Sequence, residues 1–118
     1  MKDKDREKDL LLKAEVNGDS SCVLELSDSN ESFGYVIVDI NDEDLRIHDF
    51  VLGENVSETE KKFFLDFLMR AAASYGENRN AKRIITVRNS WNDFLKTKGF
   101  ETDENHAFAP MSLIVHYN

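Results

Sequence analysis

The stretch "DFVLGENVSETEKKFFLDFLMRAA" (49–72) changes its hydrophobic period halfway, and that change decides how the chain is read. Up to Leu52 it is the apolar end of a strand, and Gly53 breaks it. From Ser57 onward the apolar residues recur at helical spacing. Phe63, Phe64, Phe67, Leu68, Ala71 and Tyr75 fall on one stripe and predict a helix over 57–75. Ser57 and Glu60 have the S-x-x-E spacing of a capping box, and Gly76 stands where a helix C-terminal glycine belongs. A strand turning through a glycine into a helix start is a common phosphate site, because free N–H groups and the helix dipole point there. This helix instead opens with Glu58 and Glu60. Their charge favours the helix dipole and opposes an anion, each like-charge pair at about 4 Å costing roughly 1–4 kcal/mol.

Outward from that junction the elements alternate cleanly. "LRIHDFVL" (45–52) is a strand, and "FGYVIVDI" (33–40), apolar on both faces, reads as a central strand covered on two sides. Cys22–Leu26 and Leu10–Val16 alternate as two more strands, joined by an Asn17-Gly18 hairpin signal. Residues 1–9 carry mixed charge without an apolar face and read as a solvated segment preceding a single domain over 10–118. Beyond the long helix, "RIITV" (83–87) is a short buried strand. "SWNDFLKTK" (90–98) is a short helix with Trp91, Phe94 and Leu95 inward, stopped by Gly99. "MSLIVHY" (111–117) alternates as a last strand with Pro110 at its start, and a weak extra strand is placed around 101–108. The order is ββββ-α-β-α-β, an α+β fold with a mixed sheet. Residues 83–87 are predicted to lie parallel to 45–52 across a right-handed crossover. A ferredoxin-like arrangement fits poorly, since four strands precede the first helix.

Composition narrows the function. The chain has 118 residues, 41% of them hydrophobic, which suits one domain with a real core. Acidic residues outnumber basic ones 23 to 15, a net charge of −8, which points away from nucleic acid and anionic membranes and toward a basic protein partner. The single cysteine, Cys22, forms no internal disulfide, and no Cys/His cluster has the spacing of a metal site. The charged N-terminus and the lack of a long apolar run predict a cytoplasmic protein, in which the sequons at Asn30 and Asn55 are chance matches.

A meander running into strand, long helix, strand, short helix, Gly-Phe and strand resembles the Gcn5-related N-acetyltransferase superfamily over roughly Leu10–Tyr117. "IHDFVL" (47–52) and "FLKTKGF" (94–100) carry the resemblance. It implies an acyl-CoA N-acyltransferase-like protein with acetyl-CoA as cofactor. The pantetheine arm would lie on the strand end at Phe50, Val51 and Leu52. Positions Thr59 and Lys61 would fall in the pyrophosphate loop. That loop is patterned Q/R-x-x-G-x-G/A in the family, and "VSETEK" (56–61) retains none of it. Leu95 stands where the family commonly has a general-acid tyrosine, and Asn89 lies one residue off its helix-leading asparagine. The usual helices between the first two strands are missing. The resemblance therefore implies either a divergent acyltransferase or a non-catalytic binding or regulatory module on the same fold.

No residue pattern identifies the catalytic groups. His48-Asp49 is the best acid/base pair, although strand neighbours point to opposite faces and cannot act on one atom. Cys22 in an alternating strand reads as a packed thiol; His106 and His116 have no readable triad partner. Phe63, Phe64 and Phe67 read as sheet packing, and Trp91 as the anchor of the short helix.

Overall fold

A computed structural model of the chain describes residues 21–27 and 32–114. The expected strand Leu10–Val16, its hairpin, segment 1–9 and residues 115–118, with His116, lie outside the described residues.

The described chain forms β1 (Cys22–Ser27), β2 (Ser32–Asn41), β3 (Asp44–Leu52), α1 (Glu58–Glu77), β4 (Arg83–Thr86), α2 (Asn92–Thr97), β5 (Glu101–Thr102), β6 (Ala107–Pro110) and α3 (Met111–Ile114). The strands make one mixed sheet in the order β1-β2-β3-β4-β6-β5. β1, β2 and β3 are an antiparallel meander, β4 lies parallel to β3 as the sequence predicts, and β6 and β5 close the sheet antiparallel. β2 is buried without interruption from Gly34 to Asp39, as a centrally placed strand should be. Alternate residues serve two clusters. Val36 and Val38 join Leu45, Ile47 and Phe50 under α1, while Tyr35 and Ile37 pack with Val23 and Val51.

The helix buries a different stripe from the one its aromatics suggest. Phe64 and Leu68 are buried as expected, but Phe63 is 65% exposed and Phe67 49%. Leu65, Met69, Ala72, Ala73 and Gly76 complete the packed face instead. Small residues decide this, because they let the helix backbone approach the sheet. A Cβ at Gly76 would lie 2.9 Å from the Leu45 Cβ and 3.1 Å from the Met111 Cε. Gly76 is accordingly inside the helix and not its terminator. The chain leaves the helix at Asn78, and Asn80 takes the left-handed conformation at φ 66°.

The C-terminal expectation also needs correction. Residues 111–114 form one turn of helix, and the strand lies earlier, at Ala107–Pro110, so that Pro110 ends the strand. The weak strand expected around 101–108 becomes the β5–β6 hairpin, turned by Asp103, whose Oδ1 accepts from the N–H groups of Asn105 and His106 at 2.8 and 2.9 Å. A short apolar run does not distinguish a strand from one helical turn. Packing of Met111 against Gly76 and of Leu113 against Gly99 favours the turn. Gly99 does end α2 as predicted, at φ 93°.

Candidate functional site

β3 and β4 pair from Asp44↔Arg83 to Ile47↔Thr86, closed by a 2.9 Å bond from the Val87 N–H to the Ile47 carbonyl. There β4 stops, while β3 continues to Leu52. The two parallel strands therefore part, and the wedge between them opens toward the start of α1.

The local cause is a bulge. Ile37 pairs with Asp49 and Val38 with Ile47, so His48 is an extra residue in β3. A bulge bends and twists the strand that carries it. It also resets the alternation, so that Phe50 falls on the same face as Leu45 and Ile47.

His48 and Asp49 go to different partners. The His48 Nε2 lies 3.2 Å from the Asp39 Oδ2, with the imidazole almost wholly buried. Asp39 also accepts from Arg46 Nε at 2.7 Å and a second guanidinium nitrogen at 2.5 Å. Burial disfavours a charged Asp39, but the Arg46 hydrogen bond and the His48 charge together hold its carboxyl below the usual value. Burial pushes the His48 imidazole below its ordinary 6.5 against the pull of Asp39, which leaves it neutral at pH 7. Asp49 turns instead to the wedge, where its Oδ1 accepts from the Trp91 indole N–H at 2.8 Å and from the Phe50 N–H at 2.9 Å.

Trp91 thus stands across the opening. Its ring meets the buried Phe50 ring edge-on, with centroids 5.6 Å apart. Beside it is an open groove of about 460 Å³ lined by Leu52, Gly53, Glu54, Val56, Lys61, Leu65 and Trp91. That volume lies in the range of small-molecule sites. The Lys61 ammonium, the groove's cation, is paired with the Glu58 carboxylate at 2.8 Å.

The helix start beyond the groove is closed by its own residues. The Glu60 carboxylate accepts from the Ser57 N–H at 3.3 Å and from the Ser57 hydroxyl at 2.8 Å. The Glu60 and Lys61 N–H groups both reach the Ser57 carbonyl at 3.1 Å.

Of the residues placed at this site from sequence, Leu52 and Lys61 line the groove. Phe50 is buried beneath Trp91, Val51 packs on the opposite face, and the Thr59 hydroxyl lies 3.1 Å from the Ser57 Oγ. Leu95 is fully buried, and the Asn89 amide is tied to the Glu104 carbonyl at 2.8 Å. Cys22 is half-buried against the core, and His106 lies 2.9 Å from Asp103 in the β5–β6 turn. Gly53, Glu54, Val56, Leu65 and Trp91 also line the groove without having been placed there from sequence, and of these Trp91 is the one with a readable signal. The available signal was its position in the loop after β4, since ligands bind beyond the carboxyl ends of parallel strands. Among the described residues no group of three His, Cys, Asp or Glu could hold a metal ion, and no helix is long and apolar enough to cross a membrane.

No family model and no curated protein matches the sequence. Solved structures do match the fold. The aminoglycoside 6'-N-acetyltransferase of Enterococcus faecium superposes with a TM-score of 0.69 at 11% identity, over 92% of this chain and 90% of that one. Tetrahymena GCN5 gives 0.67 at 11% identity, over 97% and 82%. A Bacillus subtilis acetyltransferase in complex with CoA gives 0.65 at 12% identity, over 90% and 85%. The chain has the Gcn5-related N-acetyltransferase fold.

Proposed function

We propose that this protein is an acyl-CoA N-acyltransferase-like protein that takes the pantetheine arm of an acyl thioester into the wedge between β3 and β4. The parting of these strands after Ile47↔Thr86 carries the reading, since it leaves the β4-facing edge of β3 open to an extended ligand beside a groove of suitable size. The uncharged thioester end lies toward the apex, near Asp49, and the anionic end toward Lys61, which would have to exchange its Glu58 partner for the ligand. In transfer to an amine, nitrogen attacks the thioester carbonyl, the C–S bond breaks, and the amine proton must leave. His48 is buried against Asp39, so the ionisable group that turns to the wedge is the Asp49 carboxylate, and it is the one placed to accept that proton while the sulfur leaves as the CoA thiolate.

A second reading, binding without transfer, is favoured by one observation. The position of the family's general acid holds Leu95, a fully buried residue with no proton to give. Both readings need the groove to bind a thioester. A ligand at about a hundredfold excess over its Kd stabilises the folded state by about 2.7 kcal/mol. CoA and acetyl-CoA are therefore expected to raise the melting temperature by several degrees over inorganic phosphate at matched ionic strength. No CoA-specific rise would remove both readings. A rise without acetyl transfer to any amine in a panel would select the binding module.

A further inference from the structure

Asp49 meets two N–H donors on one oxygen. Its Oδ1 accepts from the Phe50 N–H at 2.9 Å and from the Trp91 indole N–H at 2.8 Å. Its Oδ2 has no hydrogen-bond partner among the described residues, and it is not among the buried unpaired polar atoms either. The residue is half-buried, so this second oxygen is within reach of another molecule. Trp91 lines the groove, which puts Asp49 at the groove's edge.

The two donors fix different things. The Phe50 N–H belongs to the next residue of the same strand and moves with Asp49. A carboxylate turns easily about its last torsion, so that bond alone leaves its plane undefined. The indole N–H arrives from 42 positions away, on a ring set edge-on against buried Phe50. It decides from outside the strand which oxygen is occupied and which is presented.

We infer that Trp91 is the positioning residue for Asp49, its N–H occupying Oδ1 so that Oδ2 is presented as the atom that takes the amine proton. The inference rests on the transfer reading above and adds the group that aims its base. As the C–N bond forms and the C–S bond breaks with its electron pair on sulfur, the nitrogen's proton goes to Oδ2. The resulting acid then releases it to the CoA thiolate or to water. Trp91 exchanges no proton in this step.

The test is a double-mutant cycle, with acetyl transfer from acetyl-CoA to the best acceptor of an amine panel read as kcat and KM in Trp91→Phe, Asp49→Ala and the double variant. Phenylalanine keeps a ring against Phe50 and removes the N–H. Asp49→Ala should lower kcat by about 10²–10⁴-fold, the usual contribution of a general base. Trp91→Phe should lower kcat roughly tenfold or more, with KM for acetyl-CoA within about twofold of wild type. The double variant should be no slower than Asp49→Ala, because Trp91 acts only through that carboxylate. Trp91 is also the single tryptophan of the chain, so the protein gives one indole N–H resonance. Asp49→Ala should shift that resonance and speed its exchange with solvent, a readout that needs no change at Trp91 and stays available if Trp91→Phe does not fold. An indole resonance indifferent to Asp49→Ala would overturn the inference. So would additive losses in the double variant, or a Trp91→Phe that loses acetyl-CoA affinity in step with kcat; either would show Trp91 to be structural and leave the role of Asp49 intact. CoA binding without transfer by the wild type would overturn the inference and select the binding module. Absence of any CoA binding would overturn it together with the thioester reading.

Discussion

Arg46 holds Asp39 through both carboxylate oxygens across the β2–β3 ladder, with the Nε bond at 2.7 Å, and His48 lies 3.2 Å from the same carboxylate. The Asp39 side chain is 5% exposed. Directly beside the bulge, then, the sheet contains a charged group that is tolerable only because it is paired.

Replacing Arg46 by methionine keeps the aliphatic stem and strands the Asp39 carboxylate. A loss of about 1.5–3 kcal/mol is expected at neutral pH, toward the low end because the Arg46 side chain is 37% exposed and partly screened. The lowered Asp39 pKa makes this contribution complete above 3.8 and lost as pH falls through the folded-state value. Urea unfolding at several pH values should show the gap between variant and wild type narrowing in acid. A constant gap would mean that Arg46 acts through packing alone.

His48 produces a second pH effect. Its folded-state pKa is lowered from 6.5, chiefly by burial, against Asp39 and alongside the charges of Arg46 and Arg88. The unfolded chain therefore binds a proton first as pH falls, so stability is full above 6.5 and declines below it toward the folded-state value. His48→Gln should lose this part of the slope, which lies below pH 6.5. An unchanged slope would assign it to another group.

At the start of α1, Ser57→Ala removes the hydroxyl bonded to Glu60. The expected loss is about 0.5–2 kcal/mol, the usual cost of a lost helix cap. A variant that melts with the wild type would show that Ser57 contributes nothing to this helix end.

Gly76→Ala tests the close approach of α1 to the sheet. Alanine is favoured over glycine in a helix by about 1 kcal/mol, whereas overpacking a core costs about 1–3 kcal/mol. With the new Cβ 2.9 Å from the Leu45 Cβ, the steric effect should win, and a melting temperature below wild type is expected. A more stable variant would show that the helix has room to move outward.

The face that α1 buries can be read from two phenylalanines. Phe64, 9% exposed and stacked on Phe33 at 5.1 Å, should lose about 3–5 kcal/mol on truncation to alanine. Phe67→Ser, on the exposed flank, should change stability by about 0.5 kcal/mol or less. Equal losses at the two positions would contradict this orientation.

Element order was legible because its signals are local. The break at Gly53, the Ser57–Glu60 pair, the alternation through β2 and β3, and Gly99 each act within a few residues, so period and turn chemistry can be read without knowing the fold. The resemblance to N-acetyltransferases followed from that order and agrees with the structure. The remaining features depend on residues far apart in the chain. Which stripe of α1 faces the sheet depends on how closely Ala72, Ala73 and Gly76 allow it to approach Leu45. The helical turn at Met111–Ile114 is favoured by its packing on Gly76 and Gly99. The bulge at His48 arises from cross-strand register, and the wedge is completed by Trp91 meeting Asp49 from 42 positions away. Periodicity reports which residues are apolar and at what spacing, but side-chain size and long-range register decide what they touch, and the groove is built from those contacts.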